Sequence, residues 1–106
     1  MNGTYEGTRQ LQVRPGTDPA VAKQLATVRV VAKEDGAATL EDGGVAAEGN
    51  LDPGMDGVTF LPQRIAGVSV DFQPPELVRR FTIKLTPQKD GSWLYPGGVV
   101  LLRVAE

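Results

Sequence analysis

The sequence predicts an all-β, antiparallel fold built as one domain over residues 1–106. Three features carry that prediction. Four Asp-Gly pairs (Asp35-Gly36, Asp42-Gly43, Asp56-Gly57 and Asp90-Gly91) are hairpin signals, because the second residue of a type I′ turn takes a positive φ that glycine adopts without strain. The stretches between them are rich in Val, Ile, Thr, Phe and Leu and alternate apolar with polar, the period of a half-buried strand. Finally, the 13 glycines and eight prolines punctuate the whole chain instead of gathering in a linker.

The elements follow in order. A first strand is expected near residues 4–13, with Tyr5, Gly7, Leu11 and Val13 on its inward face. Pro15-Gly16 stops it, and Asp18-Pro19 then offers a capping carboxylate and a proline at the first helical position, enough for one or two helical turns. Further strands are expected near 26–33, 37–41, 57–61, 65–72, 77–86, 92–95 and 99–104, with a weak one near 44–48. Ala26, Val28 and Val30 share one face, as do Ala66, Val68, Val70 and Phe72, and likewise Leu77, Phe81, Ile83 and Leu85. Residues 99–104 are apolar on both faces, which suits a central strand or one packed under a loop.

The opening stretch Gly3–Thr8, "GTYEGT", sets an aromatic between two glycines before an alternating run. Glycine inside a strand often marks a bend or a close backbone approach. Across about ten residues this stretch resembles the first strand of small bacterial lipocalin-like (calycin-type) extracytoplasmic barrels. The resemblance implies a small antiparallel β-barrel that carries cargo or sits on the cell envelope, lipoprotein-like, periplasmic or secreted. The proline-rich breaks suit an immunoglobulin-like β-sandwich as the alternative, and a cytoplasmic chain starting at Met1 would look the same at this end. With strand-like sequence beginning at once, no signal peptide is expected in the sequence as given.

Composition narrows the chemistry. A net charge of -2 offers no basic face for nucleic acid, and no apolar run approaches the ~18 residues of a transmembrane helix. The chain has neither histidine nor cysteine, which removes the commonest transition-metal ligands and every Ser-His-Asp or Cys-His nucleophile. Ser69 and Ser92 lack a nucleophile-elbow context, and residues 44–49 lack the Lys and Ser/Thr of a phosphate loop. No enzyme, cofactor or metal site is therefore expected. Residues 34–57 hold seven acids and no Lys or Arg, and Asp52-Pro53-Gly54-Met55-Asp56-Gly57 half-matches a calcium loop. Gly54 and Gln63 stand where two of its ligands belong, so a solvated acidic lobe is the expectation.

Four residues stand out as ligand-binding candidates. Arg9 and Arg79 each fall on the otherwise apolar face of an expected strand, where a guanidinium must meet an acid of the chain, water at an open end, or an anionic ligand. Trp93 and Tyr95, two apart, share a strand face and form either a stacking platform or part of the core. The expected function is a non-enzymatic binding module for a small acidic or amphiphilic ligand or a protein partner. The alternative is a structural or interaction domain of a larger envelope protein, without a small-molecule site.

Overall fold

A computed structural model describes residues 2–9 and 15–105. Nine strands and two short helices follow the turn signals: β1 (Gly3–Thr8), α1 (Pro19–Ala26), β2 (Thr27–Ala32), β3 (Ala37–Asp42), β4 (Val45–Pro53), β5 (Val58–Ile65), β6 (Val68–Ser69), a 3-10 turn at Val70–Phe72, α2 (Pro75–Phe81), β7 (Ile83–Pro87), β8 (Trp93–Tyr95) and β9 (Val99–Ala105). Every pairing is antiparallel. Eight strands run β1-β2-β3-β4-β5-β7-β8-β9, and β9 pairs back onto β1, so the sheet closes into a barrel; β6 hangs from β5 outside the ring. Closure rules out the β-sandwich alternative.

All four Asp-Gly pairs lie at hairpin connections between consecutive strands. Gly7 explains the opening stretch. A Cβ built there would sit 2.3 Å from the carbonyl oxygen of Val100, so only glycine lets β1 and β9 approach closely enough to close the ring. Tyr5, two residues earlier, is buried on the inward face. Leu11 and Val13 lie outside the described residues.

An eight-stranded barrel has an interior just wide enough to be filled by side chains. Here Leu40, Phe60, Ile65, Leu85 and Leu101 fill it, each essentially inaccessible to solvent. Outward positions carry Arg29, Glu41, Glu48, Arg64 and Lys84. An apolar inside and a charged outside reverse the arrangement of a barrel that spans a bilayer. Among the described residues no helix is long and apolar enough to cross a membrane.

Because the strands alternate in direction, both helices fall at one end, together with the 43–44 and 96–98 turns. α1 begins as its sequence predicts: the Asp18 carboxylate accepts a hydrogen bond from the Ala20 amide at 2.8 Å, and Pro19 leads the first turn.

Two expected strands are corrected. Residues 65–72 do not continue as one strand, because Ala66 (φ 52°) and Gly67 (φ 81°) turn the chain back on itself. Val68 and Phe72 consequently face solvent, Phe72 being 83% exposed. Residues 77–81 belong to α2, so Arg79 is not on an inward strand face; it is exposed on the helix. Pro75 occupies the first helical turn with Glu76, while Arg79 and Arg80 close the last turn, a charge order that suits the helix dipole. Leu77, Val78 and Phe81 recur at helical spacing and pack on the core, so the apolar positions fit either period and the proline decides. The strand expected near 44–48 is present and longer, as β4, paired on both sides.

Candidate functional site

Strand alternation that buries Leu40 also brings the next inward residue of β3, Asp42, to the rim at the helix-bearing end. β1 does the same through Tyr5 and Gly7 to Arg9, and β8 ends inward on Tyr95. Three polar side chains thus meet where the apolar layers stop. Arg9 Nη2 stands 2.8 Å from Asp42 Oδ1, with the two side chains 28% and 12% exposed. The Tyr95 hydroxyl donates to Asp42 Oδ2 at 2.6 Å, and the Arg9 guanidinium carbon lies 5.9 Å from the centroid of the Tyr95 ring, within cation–π range.

A carboxylate flanked by a guanidinium and a phenol is held at both oxygens, but not equally. Oδ2 takes a short hydrogen bond from Tyr95, whereas the buried Oδ1 has the charge of Arg9 beside it without an aligned hydrogen bond. Burial, and then the hydrogen bond and charge of Asp42, push the Tyr95 phenol well above its ordinary pKa of 10.0; the nearby Arg9 opposes them in part.

The three residues form one side of an open hollow of about 680 Å³. Ile83, Pro96 and Val99 give it an apolar surface, and Arg80 of α2 also lines it. Among the described residues Arg80 has no ion-pair partner. Two guanidinium groups therefore face the hollow against one carboxylate. Below them the barrel is packed with side chains, so the space is a mouth and not a shaft.

Of the four expected residues, Arg9 and Tyr95 come together here. Trp93 shares Tyr95's inward face but is half-buried against the core, and Arg79 lies apart on the exposed surface of α2. Sequence reading missed Asp42 and Arg80. The signal for Asp42 was present in the run Ala38-Leu40-Asp42, which puts an acid on the inward face by the same alternation that singled out Arg9. Arg80 becomes visible once residues 75–81 are read as a helix.

Ser69, Ser92 and the acidic stretch at residues 52–57 make local contacts. Ser92 Oγ donates to Asp90 Oδ1 at 2.5 Å, holding that carboxyl below its usual range, and Ser69 Oγ accepts from the Asp71 amide. The stretch that half-matches a calcium loop is the β4–β5 hairpin, with Asp52 opposite Thr59 in the ladder and Asp56 bonded to Lys84 Nζ at 2.6 Å. No protein-family model, curated protein or solved structure matches this chain.

Proposed function

We propose that the protein is a non-enzymatic binding module that takes a small acidic ligand in the hollow at the barrel mouth. The observation that carries this reading is the charge inventory of the hollow among the described residues: Arg9 and Arg80 against Asp42, beside an apolar surface from Ile83, Pro96 and Val99. A guanidinium offers a planar fork of donors suited to a carboxylate, and the apolar wall suits the body of a compact amphiphile. The filled interior argues against a long acyl chain threading the barrel. A sequence without histidine or cysteine supports binding over catalysis. The barrel, together with the resemblance of the opening stretch to small lipocalin-like domains, supports an extracytoplasmic setting on the envelope or in secreted form.

The chain's single tryptophan, Trp93, lies two residues from Tyr95 and gives a fluorescence probe for titration. Benzoate is expected to bind saturably, with affinity falling severalfold in Arg80→Gln and holding in Arg79→Gln. A second reading, an interaction domain, is favoured by the outer face of β9, where Val100, Leu102 and Val104 are each about half exposed. Absence of saturable binding, or equal binding by native protein and Arg80→Gln, would displace the first reading in favour of the second.

A further inference from the structure

We infer that Arg9 and Tyr95 form a recognition site for a monocarboxylate, and that Asp42 occupies it as the chain's own stand-in until a ligand carboxylate takes its place. The inference rests on the reading that the hollow receives an acidic ligand, and it adds the class of acid and the control of entry.

Three observations converge. Arg9 and Tyr95 address the two oxygens of one carboxylate, at 2.8 and 2.6 Å, which is the way a planar, two-oxygen anion is recognised. The pairing is incomplete, since buried Oδ1 receives no aligned hydrogen bond from a guanidinium that carries five N–H donors. An external carboxylate free to orient can engage that fork more fully than a side chain anchored at the end of β3. Lastly, Asp42 borders the same open hollow as Arg80, which has no ion-pair partner among the described residues, so a displaced Asp42 carboxylate has open space and a second guanidinium in the same hollow. Among the described residues two arginines face one aspartate across the hollow, and a monocarboxylate supplies the missing negative charge.

The test compares benzoate with its neutral analogue benzamide on native protein, Asp42→Asn and Asp42→Asn/Arg9→Gln, followed by Trp93 fluorescence. Asp42→Asn keeps the shape of the side chain and removes the competing charge. Benzoate is expected to bind Asp42→Asn at least tenfold tighter than native protein, benzamide to gain nothing, and the double variant to lose the gain. Equal benzoate affinity in native protein and Asp42→Asn, or a gain that survives loss of Arg9, would overturn the inference while leaving Arg80-dependent binding of acids intact. Benzoate binding to Asp42→Asn through Arg9, with none to the native protein, would overturn the displacement of Asp42 and remove the proposed function with it. Should Asp42→Asn fail to fold, the carboxyl carbon of Asp42 followed by NMR in native protein decides: it shifts as bound benzoate displaces it, and benzoate binding without that shift overturns the inference.

Discussion

The two sides of the barrel are built differently. From β1 to β5 the ladders are long: all of β1 lies along β2, all of β3 along residues 45–50, and residues 47–53 along residues 58–65, with one register shift between Glu48 and Gly49. From β5 round to β8 the wall is thin. β7 meets β5 only at residues 58–60, and it meets β8 only at Thr86 opposite Leu94 and Pro87 opposite Trp93. On that side α2 does part of a strand's work, laying Leu77, Val78 and Phe81 against the core. One half is thus secured by backbone hydrogen bonds and the other largely by side-chain packing. The mouth lies where they meet: Arg9 and Asp42 come from the long-ladder half, Arg80, Ile83 and Tyr95 from the thin one.

The largest expected effect is in the long-ladder half. Leu40 is fully buried on β3, so Leu40→Ala should lower stability by about 2–5 kcal/mol, read as a shift of the denaturant midpoint. A loss no greater than that from a surface substitution would mean that the interior is not packed around Leu40.

Next comes the tie across the two halves. Tyr95→Phe removes a hydrogen bond to an ionised carboxylate and should cost about 2 kcal/mol at neutral pH. Because the folded-state pKa of Tyr95 is raised, the folded protein holds this proton more tightly than the unfolded chain does. Its contribution is complete below the unfolded value near 10 and is lost as pH rises above it. The alkaline loss of stability should therefore be shallower in Tyr95→Phe than in the native protein. Parallel alkaline profiles would contradict the buried hydrogen bond.

Leu77 covers the thin wall and is half-buried, so Leu77→Ala should cost less than Leu40→Ala, about 1 kcal/mol. A cost equal to that of Leu40→Ala would make α2 as central as the strands. The smallest effect is expected from the Lys84–Asp56 pair on the outer surface, where both partners are well exposed. Lys84 holds the Asp56 carboxyl below its ordinary 3.8, so the pair acts only above that range and fades as pH falls through the lowered value. Lys84→Met should leave the midpoint at neutral pH nearly unchanged.

The same contrast governs what could be read from the sequence. In the long-ladder half, alternation and Asp-Gly turns coincide, and β2, β3 and the inward residues Val28 and Val30 follow from them. Across residues 77–81 the apolar spacing satisfies two periods at once, and residues 65–72 are broken by a turn. The outcome there turned on a left-handed Ala66-Gly67 turn and on Pro75 starting a helix, local events that alternation does not register. The site inherits this division. Arg9 was legible as a charge on an apolar face, and Asp42 could have been found by the same rule. Arg80 was hidden by the wrong period, and Arg79 was misplaced by it. That Arg9 and Asp42 meet depends on β1 and β3 ending at the same rim, with β2 between them, which only the sheet topology reveals.

Native-state hydrogen exchange, followed residue by residue with and without benzoate, addresses the unequal halves and their meeting at the mouth together. Amides of β2 and β3 should exchange only through global unfolding, while those of β7 and β8 should exchange through smaller openings at markedly lower cost. Benzoate bound at the mouth as proposed should slow β7 and β8 selectively. Uniform protection around the ring, unaltered by benzoate at concentrations that saturate the Trp93 signal, would contradict both the thin wall and the placement of the ligand against it.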